Sequence, residues 1–294
     1  MIIFTQNGSK TMKVQHIAAF SNGPHGGNPA GVILCDGLPD TSVMQKAAAE
    51  IGYSESVFAA PEGEAWRVRY FAPKVEVDFC GHATIALGAA LAQQNGAGLF
   101  TLDLNHARIT VEGHLSKTEW GASFQSPPTH SAPVAVTVLE DAMALFGLNP
   151  ANLDPRIPPA VAHGGGDHLI LALKDRKTLH KMRYDLAKGQ ILARRERYIT
   201  FNLIYAETAQ VFHARNPFPL GGVYEDPATG AAAAALSGYL RDIEWPHKGS
   251  ITIHQGDDMG IPCRLMTEIT QQRGASIRVS GSTRTIREPQ LLEI

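Results

Sequence analysis

The sequence predicts an α+β chain built as two similar halves, each a barrel-like sheet wrapped around one central helix. Three observations carry that prediction. Two distant segments repeat one order of features, strand-like stretches bounded by Gly, Pro or Asn outnumber helical ones, and two Ala-rich stretches are apolar on nearly every face. A helix with no polar face has nothing to offer water, so it belongs inside a curved sheet.

Along the chain, VQHIAAF and AGVILC alternate or are β-branched and read as strands, and residues 41–51 read as the first helix. SVFAA and RVRYFA follow as strands, the first Ala-rich helix covers 82–94, and FTLDL and ARITVEG are strands again. SPPTHSAPVAV, residues 126–136, has three prolines and no periodicity, which marks it as the linker candidate with a boundary near residue 130. A short helix is expected near 139–146. HLILAL, TFNLIYAE and QVFHAR then read as strands, the second Ala-rich helix covers 228–241, and SITIHQG and SIRVSGS complete the set.

The repeat is specific. WRVRYFAP (66–73) leads through a loop carrying Glu76 and Asp78 into CGHATIALGAALAQQ (80–94), and AQVFHARNP (209–217) leads through a loop carrying Glu225 into DPATGAAAAALSGYL (226–240). The Pro-to-Thr spacings are 11 and 12 residues, and Thr84 and Thr229 lie 145 apart, about half the chain. Upstream, HGGNPAGVIL (25–34) echoes HGGGDHLILAL (163–173). A duplicated unit is the economical explanation.

Composition excludes several functions. The chain has 294 residues, 26 Lys plus Arg against 28 Asp plus Glu and a net charge of −2, which gives no electrostatic footprint for nucleic acid or an anionic membrane. There is no apolar run of about eighteen residues, and the start, MIIFTQNGSKT, lacks the features of a signal peptide, so a cytoplasmic chain is expected. Cys35, Cys80 and Cys263 are odd in number and lack metal-ligand spacing, which argues for reduced thiols and against a zinc site. His163 and His168 flank GGGD, but a Gly-rich hairpin explains that pattern and no further ligands cluster with them. GGNPAG lacks the three spaced glycines of a dinucleotide loop. No metal and no cofactor are expected.

Chemistry is expected at the two helix starts, whose unpaired N–H groups and partial positive charge suit a carboxylate or phosphate. Gly81 and Gly230 allow close approach of a ligand, and Thr84 and Thr229 can support the first turns. If the halves face each other, both ends open on one cleft. The titratable groups beside them are His82, Glu225 and Asp226, with Glu55 upstream in GYSESVFAA, where apolar neighbours suit a carboxyl group to act as acid and base. Cys80 reads either as an activated thiolate or as a buried inert cysteine.

GGNPAGV (26–32), SESVF (54–58), RYFAPKVEVDFCGHATIALG (69–88), YEDPATGAAAAAL (224–236) and HQGDDMG (254–260) together resemble the phenazine-biosynthesis isomerase (PhzF-like) family of the diaminopimelate-epimerase superfamily. The resemblance runs from about residue 12 to the C-terminus. It implies a diaminopimelate epimerase-like fold with a first domain over 12–127 plus a returning strand at about 283–294, a second over 131–282, and an extension over 1–11. It implies a homodimer and an active site between the domains. Carried onto this chain, the catalytic residues are Glu55, His82 and Asp226. Asn28, Gly81, Thr84, Thr229, Gly230 and Ala231 bind substrate, with the N–H groups of Gly81, His82, Gly230 and Ala231 receiving its carboxylate. Two departures matter. Ala231 replaces the serine that follows ATG in the phenazine enzyme, and the second cysteine of the related epimerases, expected near Asp226 and Pro227, is absent.

The expected activity is therefore cofactor-independent isomerisation of a small carboxylate-bearing metabolite, with Glu55 moving the proton. The rivals are an amino-acid epimerase using Cys80 and a small-acid binding protein without catalysis.

Overall fold

The computed structural model describes residues 2–4 and 10–293. Of the 1–11 extension, residues 1 and 5–9 lie outside the described residues, as does residue 294 of the returning strand. The chain divides into two units, residues 1–125 with 280–294 and residues 126–279.

The first unit runs β1 (Ile2–Phe4), β2 (Lys10–Ala19), β3 (Asn28–Leu34), α1 (Thr41–Ile51), β4 (Glu55–Glu62), β5 (Ala65–Phe71), β6 (Glu76–Val77), α2 (Gly81–Asn95), β7 (Gly98–Asp103), β8 (Arg108–Ser116) and β9 (Glu119–Gln125). Strands β2 and β3 are antiparallel, β3 and β4 parallel, β4 and β5 antiparallel, β5 and β7 parallel, and β7, β8 and β9 antiparallel in turn. The last strand of the chain pairs with both β2 and β9, so the sheet returns on itself. Inside it sits α2, buried continuously from His82 to Ala92. Small residues set the depth of that helix. A Cβ on Gly113 of β8 would lie 2.3 Å from the Gly88 carbonyl oxygen, so backbone meets backbone there. On the outer face, Met44, Ala47 and Ala48 of α1 pack on Ile33, Phe58 and Phe71. Covered on both faces, β3 and β4 read as continuous apolar runs rather than alternating ones.

The second unit contains β10 (His130–Pro133), α3 (Val136–Phe146), β11 (Ala160–His163), β12 (Asp167–Leu173), α4 (Arg176–His180), α5 (Leu186–Glu196), β13 (Thr200–Ala206), β14 (Val211–Phe218), β15 (Val223–Asp226), α6 (Gly230–Asp242), β16 (Ser250–Gln255) and β17 (Cys263–Glu268), before β18 (Arg278–Glu293) returns to the first. Its pairing order repeats that of the first unit. β11 and β12 are antiparallel, β12 and β13 parallel, β13 and β14 antiparallel, β14 and β16 parallel, and β16 and β17 antiparallel. The short β15 hangs on β14 as β6 hangs on β5. The central helix is α6, buried from Ala232 to Arg241. Helices α3, α4 and α5 cover the outer face through Val138, Ala142, Phe146, Leu179 and Leu192, packed on Leu169, Leu171, Phe201 and Leu203.

Some elements differ from expectation. Residues 126–136 carry β10 and the start of α3 instead of an irregular linker, because His130, Ser131, Ala132 and Pro133 pair with β11. Helices α4 and α5 were not foreseen. Their sequences are short and rich in Arg and Lys, and their starts are fixed by Asp175 and Asp185, whose carboxylates accept the N–H groups of Thr178 and Lys188. Among the described residues no helix is long and apolar enough to cross a membrane.

Candidate active site

In the first unit the expected residues gather at one end of the sheet. The parallel register sets Ala30 opposite Glu55, so Asn28, two residues before Ala30 and itself buried, lies at the same end as the start of β4. Residues 72–80 bring the chain from β5 to the start of α2, where Cys80 occupies the extended position before the helix and His82 the first turn. The Glu55 carboxylate lies 3.6 Å from His82 Nε2. On the other side of that ring, Cys80 Sγ lies 3.2 Å from Nδ1, close enough for the thiol to donate to the nitrogen or for a thiolate to accept from it. The imidazole therefore stands between a carboxylate and a sulfur. The side chains of Glu55 and His82 are 17% and 5% exposed, so the pair is screened from water yet reachable through the carboxylate.

Thr84, expected as a substrate contact, is fully buried. Its hydroxyl donates to the Cys80 carbonyl at 2.8 Å and shares a 2.7 Å hydrogen bond with the Tyr70 hydroxyl, which holds the first turn of α2 in place.

In the second unit the corresponding helix start is built differently. Thr229 sits at the position before α6 without capping it, because its hydroxyl donates instead to Asp226 Oδ2 at 2.6 Å. Gln255, the last residue of β16, spans the turn. Its Nε2 donates to the Asp226 carbonyl at 2.7 Å and to Thr229 Oγ1 at 3.1 Å, while its Oε1 accepts from the Thr229 N–H at 3.3 Å. Gly256 completes the clamp. A Cβ there would lie 2.9 Å from the Pro227 carbonyl oxygen, and its φ of +79° also favours glycine. The HQG portion of HQGDDMG thus fixes the DPATG turn.

Glu225 takes no part in this arrangement. It is buried and held by the Arg215 guanidinium, whose Nε donates to it at 2.9 Å, and Arg215 Nη1 also donates to the carbonyls of His180 and Met182. A charge so fully paired is a structural ion pair.

Both central helices share one property. Neither α2 nor α6 receives a side-chain cap, a condition they share with α1 and α3 but not with α4 and α5. Gly81 and His82, and Gly230 and Ala231, occupy the first two positions of those uncapped starts, where N–H groups have no partner within the helix. Each start can accept an anion.

Sequence reasoning gave no role to Gln255, nor to the side chains behind it. Gln255 Oε1 accepts from Asn216 Nδ2 at 3.1 Å, Asn216 Oδ1 accepts from the Thr200 hydroxyl at 3.0 Å, and that hydroxyl meets His168 Nδ1 at 2.7 Å. All four are buried. The signal in the sequence was weak, since His168 and Thr200 stand at the starts of the apolar strands β12 and β13, and Asn216 follows Arg215 in a strand that also carries His213. Burial pushes the His168 imidazole down to about 3, so the ring is neutral.

The model of the phenazine biosynthesis-like protein family matches residues 17–288. An uncharacterized isomerase of Mesorhizobium japonicum is 34% identical over 280 residues, covering 87% of this chain and 90% of its own. Among solved structures, a PhzF-family phenazine biosynthesis protein of Bacillus anthracis superposes with a TM-score of 0.86 at 22% identity, over 97% of this chain and all of its own. A hydroxyproline epimerase of Agrobacterium vitis with bound trans-4-hydroxy-L-proline reaches 0.64 at 9% identity, over 96% of this chain and 91% of its own. These likenesses are of fold, the diaminopimelate epimerase-like fold.

Proposed function

Because the chain belongs to the phenazine biosynthesis-like family, we propose that it is an isomerase that moves a proton on a small carboxylate-bearing metabolite without a cofactor, using the groups at the starts of its two central helices. The observation that carries this reading is the 3.6 Å approach of Glu55 to His82 Nε2 at the uncapped start of α2. Glu55 removes the proton from carbon and returns it to a second atom. His82 orients the carboxyl group, and Asp226, steadied by Thr229 and Gln255, orients the polar group of the substrate. The N–H groups of Gly81, His82, Gly230 and Ala231 receive the substrate carboxylate, in keeping with the acid bound by the hydroxyproline epimerase. One positioned acid–base group supplies roughly 10²- to 10⁴-fold, and each backbone donor aimed at developing charge adds roughly 10²- to 10³-fold. The chain acts as a homodimer in the cytoplasm on this reading.

The test is uptake of solvent deuterium, screened across small hydroxy and amino acids in D₂O. A substrate acquires deuterium with the native protein, and Glu55→Gln slows the uptake at least about 100-fold. A substrate that exchanges equally well with Glu55→Gln overturns the assignment. Binding with no exchange in any member of the panel supports a binding protein.

A second reading is favoured by the 3.2 Å contact of Cys80 Sγ with His82 Nδ1, which would suit a thiol acting on one face of a stereocentre against Glu55 or Asp226. Cys80→Ser separates the two. Near-native exchange speaks for Glu55 alone, and loss of exchange with retained binding speaks for an epimerase.

A further inference from the structure

The second unit contains a buried line of side chains with a direction. The Thr200 hydroxyl has one proton, which it donates to Asn216 Oδ1 at 3.0 Å, so its lone pair is left to accept from His168 Nδ1 at 2.7 Å. That sets His168 as the neutral tautomer protonated on Nδ1. Asn216 Nδ2 donates to Gln255 Oε1 at 3.1 Å, Gln255 Nε2 donates to Thr229 Oγ1 at 3.1 Å, and the Thr229 hydroxyl donates to Asp226 Oδ2 at 2.6 Å. Every donor faces the same way, and the line ends on a carboxylate. Aligned hydrogen bonds polarise one another, by about 10–30% per bond, and each member holds its neighbour in one rotamer.

The far end supports this assignment. Among the described residues His168 Nε2 is buried without a hydrogen-bond partner, and an imidazole accepts that condition at lower cost as a bare lone pair than as an unmet N–H. The fully buried ring, held neutral by desolvation, cannot compete for the Asp226 charge.

The duplication adds a second, independent observation. Aligning the two Gly-rich segments on His25 and His163 matches Ala30 with His168. The parallel registers set Ala30 opposite Glu55 and His168 opposite Thr200. Thr200 therefore stands where the first unit holds its carboxylate. One copy of the ancestral position bears the acid, and the other has become part of a support for a different acid.

We propose that His168, Thr200, Asn216 and Gln255 are positioning residues that fix the orientation of the Asp226 carboxylate and of the α6 start. The catalytic consequence rests on the reading of Asp226 as a site group, whereas the relay itself does not.

The test is made on the free, full-length protein at fixed neutral pH, with the Asp226 carboxyl carbon and the Thr229 and Gly230 amides followed by NMR. Gln255→Met, close in volume but without the amide, displaces all three resonances. Thr200→Val removes the hydroxyl at nearly constant shape and displaces the Asp226 resonance by a smaller amount from four hydrogen bonds away, while Thr200→Ser restores the native position. Histidine ring ¹⁵N shifts show the Nδ1–H tautomer for His168 in the native protein and in Thr200→Ser. Unmoved Asp226 and Thr229 resonances in Gln255→Met, or Thr200→Val and Thr200→Ser spectra that agree with each other, overturn the proposal. Should Gln255→Met fail to fold, the Thr200 pair decides alone. No substrate is needed, so a failed relay is distinguishable from a failed isomerase reading, which shows only in deuterium uptake.

Discussion

Individual residues differ in how much of their chemistry can be read locally. His82 and Asp226 stand out locally because each sits in a dense motif beside a helix start, whereas Glu55 opens β4 well upstream, and only the fold brings Glu55 and His82 within 3.6 Å although 27 positions separate them. Gln255, Asn216, Thr200 and His168 are not legible in the same way. They lie on three different strands and in one strand end, and only the register of β12, β13, β14 and β16 makes them one line. His168 has a consequence for stability that can be measured apart from function. Its folded-state pKa is depressed to about 3 from 6.5 in the unfolded chain, chiefly by desolvation. Below pH 6.5 the unfolded chain binds a proton that the folded one refuses, so this contribution falls as pH falls towards 3. The loss amounts to about 1.4 kcal/mol per pH unit, or about 2 kcal/mol between pH 6.5 and 5. Urea unfolding of the native protein and His168→Gln at both pH values should show the variant losing about 2 kcal/mol less. Parallel acid limbs would contradict this account of the ring.

At the scale of elements, what the sequence revealed was what local pattern controls. The first helix lies over Thr41–Ile51 as expected, ended by Gly52 at φ +73° with its N–H on the Ala48 carbonyl. The two Ala-rich helices proved buried all round, as their lack of a polar face required. Helices α4 and α5 escaped because short charged segments look like loops until tertiary packing supplies a face for Leu179 and Leu192 to cover. The strands β10 and β11 escaped for a related reason: four residues each are too few to display an alternation, and their pairing with each other and with β12 fixes them. The close seat of α2 yields a sharp expectation. Gly113→Ala places a methyl group 2.3 Å from the Gly88 carbonyl oxygen, where neither backbone can yield, and should cost about 3 kcal/mol or more in urea unfolding. Gly37→Ala, which meets nothing within 4 Å, should change stability by less than about 0.5 kcal/mol. Equal effects for the two would mean that α2 does not rest on β8 as described.

For the whole molecule, the repeat visible in two Pro-bearing strands and two Ala-rich helices extends to the complete pairing order of both units, from the antiparallel β2 and β3 to the antiparallel β7 and β8, and again from β11 to β17. Sequence similarity between the halves survives only near the helix starts and the two Gly-rich turns, yet the pairing order is kept throughout, because a central helix without a polar face can be buried only by a sheet that closes around it. What diverged is the chemistry. One unit offers Glu55, Cys80 and His82 at its helix start and the other Asp226 on a buried relay, so neither alone holds the proposed set. The most direct measurement follows the amide resonances of Gly81 and Gly230 while the native protein is titrated with a carboxylic acid identified by deuterium uptake. The account predicts that both amides shift along one saturation curve with a single dissociation constant. Movement of only one of them, or of the two with different constants, would contradict the claim that both helix starts hold the same carboxylate.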